Sequence, residues 1–223
     1  PKERLLPQDV EGLRALYDGE IHRVDRLVGG LTGQIEAHGL ADRTLVVLTS
    51  DHGQEFMEHG GYTYGHSLYD EVLQVPLILA GPGIPTGEAV GTQVSLLDMA
   101  PTLVEIAGAA SLPEAEGQSL LPALQGETLE EKPIFSESLY RVPQELKAVR
   151  RDGLKLIFDI NGNQIELYDL KIDPDEQQDM AAEAGDVAQT LLDELLGWVA
   201  HTSQVGRELP RSVPPQEFTE AVW

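Results

Sequence analysis

The chain contains no cysteine, so no disulfide can brace it and no thiol can act as nucleophile or soft metal ligand. That absence leaves the compartment open, and a soluble protein of the cytoplasm, the periplasm or the secreted space fits equally well. Basic residues are scarce, 15 Lys and Arg against 38 Asp and Glu for a net charge of −23. Such an excess of negative charge argues against nucleic acid and anionic membranes as partners. Long apolar runs are missing too: none approaches the roughly 18 residues of a membrane span. No signal-peptide pattern opens the chain, and it begins Pro1-Lys2 without methionine, as a processed protein or part of a longer one would. Internal repeats and low-complexity tracts are absent. What is left is an ordinary globular composition, 223 residues of which 41% are hydrophobic, enough for one large domain or a domain with a smaller companion.

The most informative stretch is TLVVLTSDHG, Thr44 to Gly53. Leu45 to Leu48 form a short, largely β-branched apolar run, the pattern of a strand buried on both faces of a parallel sheet. Asp51 and His52 then fall at its carboxyl end, where open α/β sheets collect ligands. A carboxylate and an imidazole side by side are a hard and a borderline metal ligand, and Gly53 lets the backbone turn or approach a ligand closely. The same residues also fit a strand-to-loop junction in which Asp51 caps a turn and His52 has no role. His59 and His66 follow in one loop, FMEHGGYTYGHSLYDE, so three of the six histidines lie between positions 52 and 66. Tyr62 and Tyr64 of that loop could line a pocket or pack locally.

Around this centre the chain alternates strand and helix. Leu13, Leu16, Tyr17, Val24, Leu27, Val28, Leu31 and Ile35 recur at helical spacing and predict a helix over Pro7 to Ile35, capped by Asp9 and ended by Gly39. Its charges, Asp18 and Asp25 included, read as a solvated face, and His22 and His38 as surface residues. Strands are expected at 44–50 and 75–80, a helix at 96–107 with Asp98 as cap, and a strand at 133–138 that completes the main sheet. The alternation implies a doubly wound, mainly parallel sheet with flanking helices. From Gln144 the texture changes. LKAVRR, LKLIFDI and IELYDL, separated by Asp152-Gly153 and Asn161-Gly162, predict a three-stranded antiparallel meander, with Arg150 and Lys155 as exposed strand residues. A helix near Val187 to Val199 follows, then a tail from Gly206 that lies on the surface or lacks order.

The ordered set SDHG, EHGG, GHSLYDE, VPLI and GPG, continued by LLDMAPTLVEIAGA, GQSLLPAL, SESLY and ELYDLKIDPDE, resembles the sulfatase family of the alkaline phosphatase superfamily over nearly the whole chain. The resemblance implies a metal-dependent hydrolase of sulfate esters acting on a small anionic ester. It makes residues 1–143 the C-terminal part of an α/β catalytic domain and residues 144–223 a small antiparallel α+β subdomain. Sulfatases carry their nucleophile in the N-terminal half, in a Cys- or Ser-x-Pro-x-Arg motif converted to formylglycine. This chain contains neither that motif nor the early acidic pair that completes the metal site. It therefore looks like the C-terminal half of such an enzyme, inactive by itself. The resemblance makes Asp51 and His52 metal ligands. Many sulfatases have Asp-Asn there and bind calcium, whereas Asp-His is similar to phosphonate monoester hydrolases and related phosphodiesterases that use a transition metal. The ion is thus manganese, calcium or zinc, imidazole suiting manganese or zinc better than the all-oxygen preference of calcium. His66 matches the basic position after the metal loop, where it would contact the anion or protonate the leaving group; in two-metal relatives that region ligates a second ion. His59 either orients a ligand from behind or is a loop histidine without a role. Two other functions stay open: a phosphodiester or phosphonate monoester hydrolase on the same scaffold, and a non-catalytic remnant kept as a binding module.

Overall fold

The computed structural model describes residues 5–138 and 145–208, the last five by backbone alone. Helix α1 spans Pro7–Ala37, with proline at the first position, where its missing N–H is no loss. Asp9 is not the cap. Leu6 occupies that place, and Asp9 Oδ2 reaches back to accept the Leu6 amide at 2.8 Å, as a carboxylate in the third position can. The far end matches expectation: Gly39 takes φ +63° and the Leu40 amide closes onto the Ile35 carbonyl at 2.9 Å. Leu16, Leu27 and Leu31 of α1 remain exposed. The helix meets the rest of the chain where Tyr17 packs edge-on against Phe56 at 5.3 Å and Arg14 bonds Glu58.

Strand β1 (Val46–Thr49) precedes a short hairpin, β2 (Glu55–Phe56) with β3 (Tyr62–Thr63), then the one-turn helix α2 (Asp70–Leu73) and strand β4 (Leu77–Ala80). β1 and β4 pair antiparallel, Val46 opposite Ala80 and Thr49 opposite Leu77. A mainly parallel sheet was expected, but the two strands of it seen here run in opposite directions, and the connection between them carries a hairpin and one helical turn in place of the packed helix of a βαβ crossover. Nor is β1 buried on both faces: its first three residues are half-buried and Thr49 is exposed. The mixed α/β class stands. Helix α3 (Met99–Ile106) continues a 3-10 turn, Leu96–Asp98. Asp98, buried, accepts the Ser95 and Gln118 amides at 2.8 Å each, and buried Thr102 accepts the Leu120 amide at 2.8 Å. These bonds fasten α4 (Leu121–Leu124); Asp98, expected as the cap of the helix, makes no side-chain cap bond to α3 and instead answers the Ser95 cap as the third residue of the 3-10 turn.

The remaining strands, β5 (Ile134–Ser138), β6 (Leu146–Arg151), β7 (Leu154–Asp159) and β8 (Gln164–Asp169), form one antiparallel sheet in chain order. The meander has four strands, not three. β5 pairs with β6, Ile134 opposite Arg150 and Ser138 opposite Leu146, instead of joining the sheet of β1; strands close in sequence tend to be neighbours. Asp152 (φ +55°) and Gly153 (φ +83°) make the two-residue turn of β6–β7. The next hairpin also forms, but its left-handed residue is Asn163 (φ +48°), with Asp159 Oδ1 accepting the Asn161 and Gly162 amides at 3.0 Å. Helix α5 (Gly185–Glu208) lays Ala188, Leu191 and Leu195 on Val149, Leu156, Phe158 and Leu167, and Trp198 stacks on Phe135 at 4.9 Å. This is the main core. Leu195 is fully buried there, so Leu195→Ala should cost about 2–5 kcal/mol in urea denaturation; a loss below about 1 kcal/mol would show that α5 does not anchor the sheet. No helix among the described residues is long and apolar enough to cross a membrane. The expectation for the tail beyond residue 208 falls outside the described residues.

Candidate metal and anion site

β1 delivers Asp51 and His52 to the loop above the strand. Just behind them the Gly53 amide donates to the Val72 carbonyl at 2.7 Å and the Gln54 amide to the Glu71 carbonyl at 2.8 Å. A Cβ on Gly53 would collide with the Glu71 carbonyl, so this backbone approach requires glycine. The Asp51 side chain is 88% exposed and that of His52 36%. His52 Nδ1 lies 2.8 Å from the Gly53 carbonyl oxygen. A carbonyl can only accept, so Nδ1 carries a hydrogen, and in the neutral ring Nε2 holds the lone pair. That lone-pair nitrogen stands 3.8 Å from Asp51 Oδ1, and Tyr64 stacks on the ring at 3.8 Å. An imidazole anchored through one nitrogen with the other free is how metal-binding histidines are held. The donors fit two ligands of a divalent ion; among the described residues no group of three or more His, Asp or Glu completes a set.

Buried Glu55 staples the loop beneath. Its Oε1 accepts the His59 amide at 3.2 Å and the Gly61 amide at 2.6 Å, while Oε2 takes His66 Nε2 at 2.8 Å and Ser67 Oγ at 3.2 Å. Four donors satisfy a carboxylate that burial would otherwise penalise heavily. A Cβ on Gly61 would strike the His66 ring, so the histidine is wedged in place. Asp51 and His52 border a cavity of about 1250 Å³ whose lining includes Tyr64, Arg150, Lys155 and Trp198. Gly65 and Ser67 line it as well, whereas the His66 ring turns back to Glu55. Asp51 and His52 are therefore together, and the His66 ring, 21% exposed, is held to Glu55 through Nε2.

His59 belongs to a third group. Its Nδ1 is 2.7 Å from Glu71 Oε1, its Nε2 2.9 Å from the Glu176 carbonyl oxygen, and Tyr69 stacks on it at 3.6 Å. Burial lowers its pKa, but the Glu71 bond, the Glu176 carbonyl and both carboxylates outweigh burial, and the net position is above the ordinary 6.5. Arg150 and Lys155, expected as exposed strand residues, are not. Lys155 is 1% exposed, with Nζ 2.8 Å from both Asp70 Oδ1 and Glu176 Oε1, and Arg150 Nη1 bonds Asp70 Oδ2 at 2.6 Å. The cause is that β7 is covered on both faces, by α5 on one and by Leu68 on the other. The consecutive Leu156-Ile157-Phe158 was the available signal, since a half-exposed strand would alternate. Burial pushes the Glu176 carboxyl up against the opposing pull of Lys155. Tyr69 and Tyr168 both donate to Glu166 Oε2 at 2.8 Å, and burial with that carboxylate pushes both hydroxyls up. Glu55 carries no signature in the sequence that separates it from the many surface acids; Asp70, Glu71 and Glu176 lie in the GHSLYDE and ELYDLKIDPDE motifs, but nothing there marks them as the partners of Lys155 and His59.

The Sulfatase family profile matches residues 4–109, and the profile described as N-sulphoglucosamine sulphohydrolase, C-terminal, matches residues 57–200. Mouse (Mus musculus) arylsulfatase K is 31% identical over 197 residues, covering 82% of this chain and 35% of the relative. A solved 2-O GAG sulfatase superposes with a TM-score of 0.80 at 28% identity, over 93% of this chain and 47% of its own. Another solved structure, in complex with its substrate D-glucosamine-2-N,6-O-disulfate, gives a TM-score of 0.66 at 26% identity, over 85% and 40%. The chain thus spans little more than a third of the curated relatives it matches and under half of the solved ones. With profiles, relatives and fold agreeing along its length, this chain belongs to the sulfatase family of the alkaline phosphatase superfamily.

Proposed function

We propose that the chain contributes to a metal-dependent sulfate-ester hydrolase in which Asp51 and His52 are two of the metal ligands. The observation that carries this is the His52 ring anchored through Nδ1 on the Gly53 carbonyl, with Nε2 3.8 Å from the exposed Asp51 carboxylate at a cavity edge. A divalent ion bound there would neutralise charge on the ester group, and the imidazole suits manganese or zinc better than calcium. Tyr64 holds the His52 ring by stacking, and Gly53 keeps the ligand turn tight against α2. For His66 the proposed role is contact with the anion or proton delivery to the leaving oxygen through Nδ1, with Glu55 orienting the ring from Nε2. His59 supports the loop from behind. The nucleophile and remaining ligands are proposed to come from the part of the relatives that this chain does not span. Residues 1–143 would then complete the catalytic domain and 144–223 form its small subdomain, with β5 lent to the latter's sheet. The disulfated glucosamine bound by one structural neighbour supports a sulfated sugar as the small anionic ester.

Rates of the full-length protein on an aryl sulfate and a matched phosphodiester test the reaction class; a higher kcat/KM on the phosphodiester would overturn the sulfate assignment. In the same assay His66→Ala should keep its metal and lose about 10²–10⁴-fold on an alkyl sulfate, the loss shrinking for an aryl sulfate whose leaving group needs no proton. Equal losses on both would make His66 a loop support alone, and loss of metal would make it a ligand.

A further inference from the structure

We propose that Glu176 is a positioning residue for the Asp51–His52 pair, acting through α2; the importance of that pair rests on the function proposed above. Glu176 lies in the IDPDE turn after β8, where Asp173 accepts the Gln177 and Gln178 amides at 3.1 and 2.8 Å. It is buried, yet its backbone sits at φ +52°, a left-handed conformation that side-chain-bearing residues seldom adopt and that a structure keeps only where surroundings enforce it. What is gained there is a carboxylate at one particular spot. Glu176 Oε2 accepts the Asp70 amide, the first of α2, at 2.6 Å, and Oε1 meets Lys155 Nζ at 2.8 Å. From α2 the carbonyls of Glu71 and Val72 hold the amides of Gln54 and Gly53, directly behind His52. The connection therefore runs from the meander through Glu176, Asp70, α2 and Gly53 to the ligand pair, linked by hydrogen bonds or continuous backbone at every step.

His59 reports on the same junction. Facing it are the Glu71 carboxylate, the Glu176 carbonyl and carboxylate, the Tyr69 ring and the Gln177 amide at 3.1 Å, with Glu55 at its backbone amide and Lys155 beyond Glu176. Its folded pKa is raised, so its contribution to stability is full below the ordinary pKa and is lost as pH rises through the folded value.

Amide hydrogen exchange and His59 NMR titration of the 223-residue chain test the assignment without any assay of activity. Glu176→Gly tolerates the left-handed backbone and removes the carboxylate. It should speed exchange at Asp70, Gly53 and Gln54 about tenfold or more, with β6–β8 amides unchanged, and should lower the His59 midpoint. Glu176→Gln keeps an acceptor for the Asp70 amide, so it should restore protection at Gly53 while the His59 midpoint still falls with the lost charge. Mn²⁺ added to the wild-type chain should broaden His52 resonances, less so in Glu176→Gly. Absence of broadening in the wild type would sink the ligand reading and leave the exchange data to judge Glu176. Unchanged exchange at Gly53 and Gln54 in Glu176→Gly, acceleration spread evenly over β6–β8, or no rescue by Glu176→Gln would each overturn the positioning role.

Discussion

Lys155→Met should destabilise the folded chain by about 3–5 kcal/mol. Methionine replaces the apolar stem of the lysine well, so packing is little disturbed. What disappears is the ammonium that sits 2.8 Å from Asp70 and 2.8 Å from Glu176 in a place where only 1% of the side chain sees water. Arg150 still neutralises one side of Asp70, but Glu176 loses its only ion-pair partner among the described residues. Breaking a buried pair from one side costs far more than replacing both, because the remaining charge is stranded. Urea denaturation with an unchanged m-value would measure the loss. The deficit should narrow as pH falls: Glu176 has a raised folded pKa, so the folded state takes up its proton more readily than the unfolded one, and acid relieves the stranded charge. A loss under about 1 kcal/mol at neutral pH, or one independent of pH, would show that water or Arg150 already compensates.

The same knot marks the limit of what the sequence could tell. Patterns repeated along the chain were legible: the α1 periodicity, the Gly39 stop, the Asp152-Gly153 turn and the α5 face all appear where the spacing placed them. The ordered motifs around Asp51, His52 and His66 led to the right family because several short signals coincided in order. Pairwise geometry was not legible. Whether β4 runs parallel or antiparallel to β1 depends on how the loop between them closes, and β5 could pair on either side until its neighbour was known. Lys155 looked exposed since a lysine in a strand usually is, and only the cover on both faces of β7 makes it a buried ion-pair partner. Glu55 and Glu176 are two carboxylates among 38 acidic residues; their importance lies in which amides fold back onto them, information that no local window holds.

His66 illustrates a finer distinction. Its neighbours Gly65 and Ser67 line the cavity beside Asp51 and His52. The direction of its ring, toward Glu55 at 2.8 Å, comes from the glycine at position 61, whose missing Cβ makes room for it. The loop thus behaves as one hydrogen-bonded unit held from beneath by Glu55 and from the side by Glu176.

Asp51→Ala carries the largest expected effect on function and bears most directly on the central proposal. The side chain is 88% exposed and among the described residues it bonds only the neighbouring His52, so its removal should shift stability by no more than about 0.5 kcal/mol. Any large loss must then be chemical. A metal's stabilisation of transition-state charge is worth several kcal/mol, and each 1.36 kcal/mol is tenfold in rate, so about 10³-fold or more should be lost. His52→Asn should be milder and shift the preference toward calcium, since it exchanges nitrogen for an oxygen donor. The decisive measurement is elemental analysis and aryl-sulfate turnover on one preparation of full-length Asp51→Ala beside the wild type. Metal content and kcat/KM falling together, with the melting curve unchanged, is the result predicted here. Full metal content with wild-type turnover in Asp51→Ala would contradict it.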